Sequence, residues 1–149
     1  MPREHPNIKM DMAELKAFLG TQTRCSLGTL DAQGGPWGDF AACCLDGDEL
    51  YFRVPTRSRS FRHIVTDNRV VCSFESHPAD TGYYTIKGAI VHGKVRRGEG
   101  ALPPKGVAAE LAKSADPVTR AITDGAIFSI GLDDYASFDF AKIKRRFEQ

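Results

Sequence analysis

Apolar and polar residues alternate along most of this chain, and the alternation predicts strands. Leu50, Phe52 and Val54 alternate with Tyr51 and Arg53, the period of two expected where one face of a strand is buried. Pro55, which has no N–H to give to a ladder, ends that strand. The same pattern predicts strands over residues 24–30 and 37–45, around Val70, Cys72 and Phe74, and over 83–96. A final antiparallel pair is expected at 126–132 and 135–140. Residues 31–36 and the Asp46-Gly47-Asp48 triplet read as turns between neighbouring strands. Gly88 and Gly93, inside the long strand, predict bulges or close backbone contact.

The period changes in a few places. Met12, Leu15, Phe18 and Leu19 form one helical face, opened by an Asp11–Glu14 capping box and stopped at Gly20. Phe61, Ile64 and Val65 fall at i, i+3 and i+4, so residues 58–67 are expected to be helical. After a Gly/Pro loop at 98–106, residues 107–113 and 117–122 read as short helical pieces. Six or seven strands joined by short turns, with helices set apart, predict an α+β, mainly β protein built on a small antiparallel barrel. A doubly wound parallel sheet would instead read as continuous apolar runs.

Composition narrows the function more than the fold. The 149 residues suit a single domain, with a polar arm over 1–10 and a basic tail over 141–149. A net charge of +1 gives no support to nucleic-acid binding or to a polybasic membrane contact. The first 24 residues hold no continuous apolar run, so neither a signal peptide nor a membrane span is expected, and the cytoplasm is the default location. Cys25, Cys43, Cys44 and Cys72 include no Cys-x-x-Cys and sit in apolar runs, as buried free thiols do. The four histidines lack ligand spacing, so no metal is assigned. Phosphate-binding and dinucleotide-binding glycine loops and the Gly-x-Ser-x-Gly elbow are all missing. Tyr83 and Tyr84, as strand neighbours, are expected on opposite faces, which frees one of them to stack on a ligand.

The candidate chemistry is concentrated where strand 50–54 gives way to helix 58–67. Ser58 is placed to cap the helix, and a helix start offers unsatisfied N–H groups and the positive end of the helix dipole. Arg57, Arg59 and Arg62 add guanidinium groups suited to forked phosphate recognition. On residue chemistry alone, an anion socket and a solvated basic face both fit.

The ordered set Leu50-Tyr51-Phe52, Ser58-Arg59-Ser60 and Asp67-Asn68-Arg69-Val70-Val71 resembles the pyridoxamine 5′-phosphate oxidase-like flavoproteins, the FMN-binding split barrels. In that family a strand, Ser-Arg-Lys, a helix, Asn-Pro-Arg-Val and a strand follow in the same order. The resemblance implies a Greek-key split barrel and a homodimer with FMN at its interface, acting on a small molecule. It implies FMN phosphate contacts at Ser58, Arg59 and Ser60, with Arg53 and Val54 near the phosphate and ribityl chain. Phe40, Ala41 and Ala42 would line the flavin ring, and Tyr83 would reach it from the second subunit. Ser60 stands where the family has Lys, and Val54 where it usually has Thr, so one cation and one hydroxyl are lost. The C-terminal arginine motif of the true oxidases is matched only loosely by Lys144-Arg145-Arg146, so pyridoxamine 5′-phosphate is not the expected substrate. The resulting expectation is an FMN-dependent oxidoreductase with no assigned catalytic acid or base. The alternatives are a non-catalytic flavin- or haem-binding, stress-related protein and a deazaflavin-dependent reductase.

Overall fold

The Asp11 capping box forms as its spacing predicts. An Asp11 carboxylate oxygen accepts the Glu14 N–H at 2.8 Å, and Glu14 accepts the Asp11 N–H at 3.1 Å. Helix α1 (Met12–Leu19) follows and turns Leu15, Phe18 and Leu19 inward. This computed structural model describes residues 7–96, 106–113 and 125–143. The predicted 117–122 helix, Lys144-Arg145-Arg146 and most of the 98–106 loop lie outside the described residues.

The strands are β1 (Arg24–Leu30), β2 (Pro36–Asp46), β3 (Glu49–Pro55), β4 (Arg69–Ser76), β5 (Lys87–Lys94), β6 (Gly125–Gly131) and β7 (Tyr135–Asp139). Helix α2 (Arg59–Thr66) joins β3 to β4, and α3 (Val107–Lys113) follows β5. All pairings are antiparallel, in the order β6-β3-β2-β1-β4-β5-β7. β1, β2 and β3 form a meander, and β4 returns to lie beside β1, which makes a Greek key. An Arg96–Ser129 bridge, with N–H···O distances of 2.8 and 3.2 Å, ties the end of the β5 segment to β6 and closes the barrel.

Alternation puts Leu27, Cys43, Leu50, Phe52, Val54, Cys72, Val91, Phe128 and Ile130 inside, where α1 adds its apolar face. Each such Leu, Val, Ile or Phe side chain contributes about 1.5–3 kcal/mol through burial. A smaller cluster lies outside the barrel, where Val107 and Leu111 of α3 cover Ala42. All four cysteines are free, and Cys25, Cys43 and Cys72 are buried. Hydrogen bonding to Cys25 and burial push the Cys43 and Cys72 thiols up, so they stay neutral in the core.

Two expectations are corrected. Residues 126–132 and 135–140 do not pair with each other: β6 pairs with β3, and β7 with β5. β5 offers one edge to both, at Lys87–Val91 for β7 and, beyond the strand, at Arg96 for β6. The chain between them crosses that edge, with Asp134 O accepting the His92 N–H at 3.3 Å. Second, the long strand begins at Lys87 rather than at residue 83, because Tyr83–Thr85 is a 3₁₀ turn. The Thr81 and Thr85 hydroxyls bond back to the Pro78 and Gly82 carbonyls, local bonds that favour a turn over a ladder. The Gly88 expectation holds. A Cβ there would stand 2.6 Å from the Phe74 carbonyl oxygen and 2.7 Å from the Phe138 ring.

Candidate anion and cofactor site

Ser58 joins the end of β3 to the start of α2. Its N–H and its hydroxyl both donate to the Pro55 carbonyl, at 3.0 and 2.7 Å. The same hydroxyl accepts the Phe61 N–H at 3.2 Å, which caps the helix as its position predicts. The first-turn N–H groups of Arg59 and Ser60 have no acceptor within the helix and mark its positive end. One hydroxyl therefore fixes both the turn and the direction in which those N–H groups point.

The arginines around this helix start differ in role. Arg62 donates from Nη1 to the Arg57 carbonyl at 3.3 Å and so braces the turn. Arg59 is exposed, with its guanidinium carbon 4.0 Å from the centre of the Trp37 ring. Arg53 lies on β3 opposite Ala42 of β2 and Ile127 of β6. A Cβ on Gly125 would fall 2.1 Å from Arg53 Nε, so glycine at that point makes room for the guanidinium.

Ser60 is placed differently from the expectation. It is fully buried, and its hydroxyl donates to Asp39 Oδ2 at 2.9 Å, while Asp39 Oδ1 accepts the Phe40 N–H at 2.8 Å. The Ser60 side chain is thus turned into the β2 contact, and only its backbone stays at the helix start. Val54 likewise points its side chain into the core, leaving its backbone at the strand end. Ala41 faces the core, whereas Phe40 and Ala42 face outward, Phe40 with 73% of its surface exposed and Ala42 beneath α3.

The structure therefore brings Ala42, Arg53, the Val54 backbone, Ser58 and Arg59 together around the β3–α2 turn. Phe40 is on the same outer face of β2 as Ala42. Tyr83 is apart from them, on the turn before β5, with its ring parallel to Phe140 at 4.6 Å. Tyr84 meets Tyr83 edge-on at 5.8 Å, so the expectation of opposite strand faces fails together with the strand.

Two further residues of this region, Trp37 and Asp39, carry no motif in the sequence. Both sit on β2 with the alternation of its inward face, and both hold α2: Trp37 through Arg59, Asp39 through Ser60. A third contact is the 3.0 Å hydrogen bond between Thr29 and His63, and Thr29 is the β1 partner of Trp37. The available signal was an aromatic and an acid two apart on the strand that precedes the arginine cluster. Trp37 also borders an apolar groove of about 240 Å³ with Leu30, Pro36, Val70 and Val71. Arg69 stands at its rim, bound to Asp67 by two hydrogen bonds of 3.0 and 2.7 Å. Those bonds hold the Asp67 carboxyl down to about 2. The Asp67-Asn68-Arg69 run thus closes α2 and starts β4.

Comparison with known proteins bears on the family and the fold. The family model described as pyridoxamine 5′-phosphate oxidase matches residues 12–114. No curated protein matches the chain. Among solved structures, a conserved hypothetical protein from Mycobacterium tuberculosis aligns with a TM-score of 0.72 at 19% identity, covering 95% of this chain and 92% of the other. An FAD-binding protein from Mesorhizobium loti gives 0.66 at 14% identity, covering 87% and 94%. The haem storage protein HutZ from Vibrio cholerae gives 0.63 at 15% identity, covering 86% and 93%. At these identities the structural likeness shows the fold. With the family model spanning most of the chain, the seven-stranded split barrel belongs to the pyridoxamine 5′-phosphate oxidase-like family.

Proposed function

We propose that this protein is a homodimeric, FMN-dependent oxidoreductase that holds the flavin phosphate at the start of α2. The observation that carries the reading is the Ser58-capped helix start beside the exposed Arg59, joined directly to the end of β3. The residues present suit a phosphate: first-turn N–H groups, the positive end of the helix dipole and the Arg59 guanidinium all belong to the first turn of α2. Arg53 adds a second cation on the neighbouring strand. The outer face of β2, between Phe40 and Ala42, offers backbone along which a flavin ring can lie.

Bound FMN would supply the hydride or electron chemistry, as flavins do. This chain's residues would anchor the phosphate, direct the ring onto β2 and set the polarity around it. Haem-binding relatives make haem the competing ligand. The anion-directed helix start favours a phosphorylated ring. Titration with FMN, riboflavin and haemin, followed by visible absorption, tests the choice. FMN should bind more tightly than riboflavin, and a nicotinamide nucleotide should bleach the bound flavin. A haem spectrum without FMN binding overturns the proposal.

The dimer rests on the exposed side of the sheet. Phe40, Ser26, Ser73 and Ile90 form one cross-strand row over β2, β1, β4 and β5. Phe40 and Ile90 are exposed, an apolar presentation suited to a twofold contact. Light scattering on the flavin-loaded protein should give twice the 16.4 kDa of one chain, and a monomer mass at micromolar concentration refutes the dimer.

Pyridoxamine 5′-phosphate should be a poor substrate, because its phosphate needs a second cationic socket. Within the basic tail, Lys142 is already engaged, donating to Glu14 and to the Lys9 carbonyl at 2.7 Å each. We expect kcat/KM below the ~10⁴ M⁻¹s⁻¹ floor typical of enzymes on their own substrates. Turnover above that floor in an oxidase assay refutes this expectation.

A further inference from the structure

We propose that Trp37 is a positioning residue for phosphate recognition, its indole face holding the Arg59 guanidinium at the start of α2 with the N–H donors still free. The inference rests on the FMN reading above and assigns a role to a residue outside the family motif. Its basis is the way Arg59 is held. A guanidinium stacked on an aromatic face interacts through its flat surface, while its N–H groups radiate in the guanidinium plane. Among the described residues no hydrogen bond or ion pair occupies those groups in Arg59; its contact is with the Trp37 ring, over which the guanidinium carbon lies 4.0 Å from the centre. Arg69 is the contrast, with its forked donors already bound to Asp67. Arg62, by its bond to the Arg57 carbonyl, is likewise partly engaged.

The platform is itself anchored. Trp37 pairs with Thr29 of β1, whose hydroxyl is bonded to His63 on α2. Two residues further along β2, Asp39 holds the Ser60 hydroxyl. Helix and platform are therefore fixed to each other on both sides of the stack, and Arg59 spans a defined gap. Preorganisation of this kind lowers the entropy lost when a long side chain is immobilised on a ligand.

The test is a double-mutant cycle read by FMN and riboflavin titration. Trp37→Leu should lower FMN affinity about 2- to 5-fold, the range of an exposed cation–π contact, and leave riboflavin affinity unchanged. In an Arg59→Ala background the same substitution should cost nothing further. Trp37→Phe, which keeps a weaker aromatic face, should fall between wild type and Trp37→Leu. It also provides the measurement if the leucine variant does not fold. A role confined to packing, or direct contact with the flavin ring, would weaken both ligands equally, and that result overturns the inference. Unchanged FMN affinity in Trp37→Leu, with wild type binding FMN normally, overturns it while the functional reading stands. Wild-type protein that takes no FMN overturns both.

Discussion

Arg59→Ala is expected to weaken FMN binding about 10- to 150-fold, the equivalent of losing one charge-assisted contact worth roughly 1.5–3 kcal/mol. The expectation follows from position. Arg59 is the first residue of α2, next to a serine whose hydroxyl is spent on the turn and the cap. The fold should survive, because Arg59 is exposed and loses only a surface stack on Trp37, worth about 0.5–1 kcal/mol. Calorimetric titration with FMN, alongside a thermal melt, separates the two effects. An unchanged dissociation constant would place the phosphate elsewhere. Riboflavin, which lacks the phosphate, should bind wild type and variant alike.

Much of this arrangement was legible in the chain because it depends on local chemistry. The Asp11–Glu14 spacing, the Ser58 cap and the alternation around Phe52 each act over a few residues, where side-chain period and backbone bonding decide the structure. What was not legible depends on partners far apart in sequence. Tight spacing between residues 132 and 135 suggests a hairpin, yet each strand is claimed by a different neighbour once the barrel closes at Arg96 and Ser129. The place of Ser60 in the motif implies a cofactor contact there. The Ser60 hydroxyl turns inward because Asp39, 21 residues earlier, lies across from it on β2. The role of Trp37 is hidden for the same reason: nothing in the 37–45 strand says that an arginine of a later helix will lie over its first side chain. Tyr83 had the composition of a strand end, but the threonines on either side bond to nearby carbonyls and curl the backbone.

Phe52→Ala is expected to have the largest effect of any single substitution proposed, a destabilisation of about 3–5 kcal/mol. Phe52 is fully buried in the central part of β3, between Cys43 of β2 and Phe128 of β6. Its ring stacks on Phe128 at 5.8 Å, and Phe128 in turn meets Phe61 of α2 at 6.1 Å. The aromatic chain runs from the barrel core to the helix whose first turn forms the anion site. Truncation at Phe52 leaves a cavity beneath Phe128, and the packing that sets the height of α2 on the sheet loosens with it. Against a total stability of about 5–15 kcal/mol, the loss is a large share, and a chain of this size should melt roughly 6–20 °C lower. Phe40→Ala provides the contrast. Phe40 is 73% exposed, so its removal should change the stability of an isolated chain by no more than about 0.5 kcal/mol. If the Phe40 row forms the dimer contact, that variant should instead lower the melting temperature of the associated protein and make it depend less on protein concentration than in wild type. Thermal melts at several concentrations distinguish the two. Phe52→Ala should lower the transition at every concentration, and a wild-type-like melt for it would mean that the barrel core is not packed through this ring.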